Sequence, residues 1–231
     1  MDRADVPARK VGEWTLVMGH RRILSAFAGA VTSAEGLWFD WTRHVQTSGQ
    51  ALLSEMKLAG SADDGFMYLP ARVASIRRAF AAISTLDHSA FTFVDLGSGK
   101  GRTLLVAAEY PFRRIVGVEF AQELHEQAES NVRRHNGLRC KCGNIELVHA
   151  DAQEYQIPED NLVLFLFNPF PGNVLDRVLS NLEYSLRQCP RQVFLIYLFP
   201  EYAAQVDLVA WLSLVEATRR YRIYRALRGC R

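Results

Sequence analysis

The chain has 231 residues, 49% of them hydrophobic and 23% charged. That suffices for one large domain, or one domain with a small appendage, and its core needs no disulfides or metals. The composition excludes wholesale disorder, collagen and coiled coil. Its 27 basic and 25 acidic residues leave a net charge of +2, so no overall field pulls the chain onto nucleic acid or an acidic membrane. The four cysteines, Cys140, Cys142, Cys189 and Cys230, are too few and too irregular for a disulfide scaffold. No second ligand pair stands at zinc spacing from Cys140 and Cys142. No apolar run reaches the roughly 18 residues of a membrane span, so none is expected. Ile23 to Val31, behind Arg21-Arg22, reads as a helix, and the expected location is the cytoplasm.

In chain order, residues 1–65 are expected to form an extension of short helices and loops. They hold Trp14, Trp38 and Trp41 and lack strand alternation. Residues 60–65 read as a loop. Val73, Ile76, Phe80 and Ile83 recur at helical spacing, which predicts a helix over 71–85. A β-rich run at 91–94 follows, then a compact helix over 103–109 and a second strand at 115–118. Ala121, Leu124, Ala128 and Val132 form the next helical stripe, before a third strand at 145–148. The six apolar residues 162–167 predict a strand buried on both faces. Val174, Leu175, Val178, Leu179, Leu182 and Leu186 give the strongest helical stripe, and 193–198 gives a fifth strand. Such alternation implies a doubly wound, mostly parallel α/β sheet. Residues 213–218 and 221–227 alternate in and out, and predict a closing antiparallel pair at one sheet edge. The arginines from Arg219 onward read as the solvated face of that pair. Together these elements make residues 66–231 a seven-stranded domain.

The chemistry concentrates at Asp95-Leu96-Gly97-Ser98-Gly99-Lys100-Gly101-Arg102, between the first strand and the following helix. Glycines let a backbone turn sharply and let a ligand approach without meeting a Cβ. In a doubly wound sheet this loop lies at the carboxyl ends of the strands, where ligands bind. Arg102 stands where a dinucleotide fingerprint requires Gly or Ala, and Gly101 stands where a phosphate-binding P-loop requires Ser or Thr. A carboxylate at Asp95 repels phosphate and attracts a cationic amino group. That combination points to S-adenosylmethionine, which carries an ammonium and a sulfonium and no phosphate. A dinucleotide-binding oxidoreductase and a non-catalytic cofactor-binding module are the alternatives.

Two further acids follow successive strands. Glu119, next to Phe120 and 18 residues after Gly101, can accept from ribose hydroxyls. Asp151, next to Ala152, can accept from an adenine amino group. The fourth strand runs into Asn168-Pro169-Phe170. There an Asn oxygen and a carbonyl before proline can accept from a substrate N–H, and Phe170 can pack the acceptor. The six histidines show no ligand spacing, so no metal is expected.

These motifs resemble those of class I S-adenosylmethionine-dependent methyltransferases, over roughly residues 65–231. The resemblance implies the Rossmann-like methyltransferase fold and S-adenosylmethionine as cofactor. It implies that Asp95, Gly97, Ser98, Gly99 and Gly101 hold the methionine portion, Glu119 and Phe120 the ribose, and Asp151 with Ala152 the adenine. Asn168 to Phe170 resembles the N-P-P-[YF] element of amino-group methyltransferases, with one proline in place of two. This implies a catalytic role for Asn168, Pro169 and Phe170 on a protein lysine or a small amine, and nucleic acid is not the expected acceptor. Phe39-Asp40, Thr47-Ser48-Gly49 and Tyr68-Leu69-Pro70 resemble the lead-in of a largely uncharacterised bacterial group. More distantly, the chain is similar to non-SET protein-lysine methyltransferases of the ATP synthase c-subunit and Dot types.

Overall fold

The computed structural model describes residues 34–49, 51–52, 67–137, 139–167 and 172–227. The reading of 23–31 as a helix and of 60–65 as a loop therefore falls outside the described residues, as does the segment Asn168 to Phe170.

A seven-stranded mixed sheet carries helices on both faces, which is the Rossmann-like methyltransferase architecture. Its strands are β3 (Thr92–Leu96), β4 (Arg114–Glu119), β5 (Ile145–His149), β6 (Leu162–Leu166), β7 (Val193–Leu198), β8 (Leu212–Ala217) and β9 (Tyr221–Ala226). They lie in the order β5-β4-β3-β6-β7-β9-β8. The first five are parallel to one another. β9 returns antiparallel to β7, and β8 closes the edge antiparallel to β9 with a bulge between Leu214 and Glu216. Strand order reverses at β3, whose chain crosses to β4 on one side while β6 pairs on the other. Such a reversal opens a crevice at the carboxyl ends, and the glycine loop leaves β3 there.

The strands are continuous apolar runs because both faces are covered. Along β3, Phe93 points into one core and Val94 into the other. The first core joins α2 (Val73–Ala82) and α3 (Arg102–Ala107) to the sheet through Phe80, Phe93, Leu104, Phe165 and Ile196. Phe80 sits at its centre, edge-on to Phe93 at 5.4 Å, to Tyr110 at 4.9 Å and to Phe112 at 5.9 Å. The second core lies under α5 (Gly172–Gln188), whose Val174, Leu175, Val178, Leu179, Leu182 and Leu186 are all buried. β5 departs from the buried-strand pattern. It is the sheet edge, and its Glu146 and His149 are exposed.

The remaining helices are α1 (Ala34–Arg43), α4 (Gln122–Arg134) and the short α6 (Ala203–Asp207). A two-stranded ribbon pairs β1 (Ala51–Leu52) with β2 (Met67–Tyr68). Phe39 of α1 is buried in the first core, and Arg43 and Arg77 both pair with Glu109. Residues 34–49 thereby sit on the same body as the sheet. Among the described residues, no helix is long and apolar enough to cross a membrane.

Candidate functional site

The loop after β3 turns on glycines that adopt left-handed backbone: Gly97 at φ +81°, Gly99 at +54° and Gly101 at +82°. Other residues avoid that region, since a Cβ there crowds the following carbonyl. Gly97 and Ser98 both donate their N–H to the Val118 carbonyl, which ties the loop to the tip of β4. A Cβ at Gly99 would overlap the Tyr68 ring. Tyr68 is held in place by donating its hydroxyl to the Thr47 carbonyl at 2.8 Å, and Lys100 Nζ lies 5.0 Å from the ring centroid.

Two acids meet under this loop. Asp95, at the tip of β3, is 2% exposed, and Glu119, at the tip of β4, is 4% exposed. Burial above all, and next the Glu119 charge, push the Asp95 carboxyl up to about 8 against the opposing effect of a hydrogen bond from Thr103. Among the described residues no cationic side chain pairs with Asp95. Glu119 is also raised by burial, against hydrogen bonds from main-chain N–H groups. Its Oε2 accepts from Gly99 N–H at 2.7 Å and its Oε1 from Ala121 N–H at 3.0 Å. It therefore braces the loop in this structure. An ionised carboxylate has about four acceptor positions, so a ribose hydroxyl could use what remains.

Phe120 is half-buried beside Tyr68, Ala121 and Leu124. Asp151 closes an Asx turn after β5: its Oδ1 accepts from Gln153 N–H at 2.8 Å and its Oδ2 from the Gln153 side chain at 3.3 Å. Ala152 packs against the second core. The structure thus brings Asp95, Gly97, Ser98, Gly99, Gly101, Glu119 and Phe120 to one crevice wall. Asp151 and Ala152 follow the neighbouring strand tip, where Ala150 N–H donates to the Glu119 carbonyl. β6 ends at Leu166, opposite Leu96 of β3, so its carboxyl tip is level with that of the strand that leads into the glycine loop.

A second layer was not evident from the sequence. Arg102, read there only as the residue that spoils a fingerprint, is 4% exposed. Its Nε donates to Thr47 Oγ1 at 2.7 Å, and its terminal nitrogens donate to Ser48 Oγ at 2.7 Å and the Ala71 carbonyl at 3.2 Å. Asp40 lies 3.7 Å from the guanidinium and accepts from Thr47 N–H, Thr47 Oγ1 and Ser48 N–H. Asn131 of α4 completes the bracket, donating to the carbonyls of Gln46 and Lys100 and accepting from Gln46 N–H. Segment 44–48 is thereby strapped across the glycine loop.

The donor set suits a small cationic ligand with hydroxyls better than a phosphate. A buried carboxyl that lacks a cation gains from an ammonium, whereas an anion would meet two acids in a dry pocket. Residues 93–188 match a family model described as a methyltransferase domain. Among solved structures, the chain is similar to an RNA methyltransferase from Salinibacter ruber in complex with S-adenosyl-L-homocysteine, at 20% identity and a TM-score of 0.44, covering 68% of this chain and 92% of that one. It is similar to magnesium protoporphyrin IX methyltransferase from Synechocystis with bound S-adenosylmethionine, at 11% identity and a TM-score of 0.47, covering 68% and 78%. A ribosomal protein methylase from Lactobacillus delbrueckii matches at 14% identity and a TM-score of 0.49, covering 68% and 80%. No curated protein sequence matches significantly.

Proposed function

On the premise that the chain is a class I S-adenosylmethionine-dependent methyltransferase, with its methyltransferase domain matched over 93–188, we propose that it methylates an amine nitrogen, on a protein lysine or a small molecule. What supports this most is the Asn168-Pro169-Phe170 run in the sequence, which follows β6, a strand whose last residue Leu166 pairs with Leu96 just ahead of the glycine loop. We assign Asn168 and the Phe167 carbonyl to orienting the acceptor N–H, and Phe170 to packing the acceptor. Asp95, with Gly97 to Gly101, would hold the amino-acid end of the cofactor. Glu119 would accept from the ribose, and Asp151 with Ala152 would face the adenine.

The cofactor supplies an electrophilic methyl on a sulfonium. Held there, that methyl would pass to the nitrogen lone pair as the S–C bond breaks, and the positive charge would move from sulfur to nitrogen, which then releases a proton to solvent. An amine must first be neutral, which a dry pocket favours by disfavouring its ammonium form. No developing anion needs stabilising. The rate would rest mainly on holding nitrogen, carbon and sulfur in line, worth up to ~7–11 kcal/mol.

The test follows S-adenosylhomocysteine release by the full chain with lysine peptides and small primary amines, against hydroxyl analogues. Turnover confined to the amines supports the reading, and turnover only with hydroxyl or RNA acceptors refutes it. In the same assay Asn168→Ala is expected to leave cofactor affinity within about twofold and to slow transfer by roughly 10–100-fold.

A further inference from the structure

The turn between β8 and β9 carries Thr218, Arg219 and Arg220. Because Tyr221 pairs antiparallel with Leu198, this turn lies at the carboxyl edge of β7, the edge that also bears the glycine loop. Facing it are Ser75 and Arg78 from the first two turns of α2. Between them lies a cavity of about 270 Å³, lined by Ser75, Arg78, Thr218, Arg219, Arg220 and Tyr221.

Three guanidiniums and no carboxylate line this cavity. Among the described residues none of the three forms an ion pair. Glu216 accepts from the Tyr221 hydroxyl at 2.6 Å and is not a lining residue. Glu35 is spent on the Ala74 N–H of α2 at 2.7 Å. Ser75 is 1% exposed, and its Oγ has no hydrogen-bond partner among the described residues. Native structures rarely leave a buried hydroxyl unpaired, so it calls for an explanation. An anion in the cavity would complete it. The turn is also tied to the acceptor side of the crevice. Phe199 N–H donates to the Arg220 carbonyl at 2.6 Å, and the Phe199 ring lies 5.9 Å from that of Phe167, which precedes Asn168.

We propose that this cavity is an anion subsite that takes a phosphate-type oxyanion carried by the methyl acceptor. The proposal rests on the methyltransferase reading above and narrows its acceptor class. Three forked guanidiniums and a hydroxyl offer more donors than a carboxylate's two oxygens can use, whereas a phosphomonoester presents three oxygens and up to two charges. The near-neutral whole-chain charge conceals this cluster because its compensating acids lie elsewhere.

The test titrates the full chain, with and without S-adenosylhomocysteine, against inorganic phosphate, phenyl phosphate and benzoate at constant ionic strength, followed by calorimetry. Saturable binding of both phosphates is expected, at least tenfold tighter than benzoate. Arg78→Ala, and Arg219→Ala combined with Arg220→Ala, should each weaken it about tenfold or more, and Ser75→Ala should weaken it measurably. S-adenosylhomocysteine affinity should stay unchanged in all of them. Phosphate binding that survives both arginine variants, benzoate binding as tightly as phosphate, or no saturable binding would overturn the proposal. A short single-stranded RNA that binds through the same arginines more tightly than phenyl phosphate, with a steep salt dependence, would overturn the single-group assignment in favour of a phosphate backbone. Failure of S-adenosylhomocysteine to bind the wild type would refute the methyltransferase reading itself, an outcome separate from all of these.

Discussion

At the scale of single residues, the site turns on the charge state of Asp95. Its folded value of about 8 lies far above the ordinary 3.8, so between those limits the folded chain holds a proton that the unfolded chain has lost. Stability contributed by this group is fully present below about pH 4 and falls as pH rises toward 8. Asp95→Asn removes the effect. At pH 8 the variant's thermal midpoint should exceed that of the wild type by roughly 10 °C or more, and the gap should close near pH 4. An unchanged midpoint at pH 8 would mean that the carboxyl is paired in solution. The same titration governs the cofactor in the opposite sense. An ammonium prefers the ionised carboxylate, so S-adenosylhomocysteine affinity should rise with pH up to about 8, by at most about tenfold per unit, and then level. Calorimetry at pH 6, 7, 8 and 9 checks this, and a flat profile would contradict it.

At the scale of elements, the strap of residues 44–48 is held by the polar network of Asp40, Arg102 and Asn131 as well as by Val45, which is buried in the first core. Asp40→Ala would strand a nearly buried guanidinium and release Thr47 and Ser48. It should cost on the order of 3 kcal/mol in urea unfolding. Cofactor affinity should fall with it, because the glycine loop loses its cover. A loss below about 0.5 kcal/mol would assign the strap to other contacts. This network also marks where sequence reading stops. The runs 162–167 and 193–198 and the stripe from Val174 to Leu186 are legible because they depend on local periodicity alone. The Asp95 and glycine loop is legible because its backbone geometry demands those residue types. Asp40, Arg102 and Asn131 are polar groups whose role exists only once distant segments meet, Arg102 and Thr47 being 55 positions apart. Likewise Glu119 was visible as an acid at a strand tip, but not as a brace for Gly99 N–H, because that bond depends on how closely β3 and β4 approach.

At the scale of the whole molecule, two cores share one sheet, and the crevice opens where strand order reverses between β4 and β6. Ligand held there contacts the tips of several strands at once, so binding and global stability are linked. At a hundredfold excess over its dissociation constant, S-adenosylhomocysteine should add about 2.7 kcal/mol, roughly 5–10 °C in thermal midpoint. Cofactor binding is expected to depend on the buried carboxyl at the tip of β3 receiving the cofactor's ammonium. The direct measurement is calorimetric titration of S-adenosylhomocysteine into wild type and Asp95→Asn at pH 8.5, where the wild-type carboxyl is ionised. The account predicts saturable wild-type binding and a loss of at least about a hundredfold in the variant; equal affinities in the two proteins would contradict it.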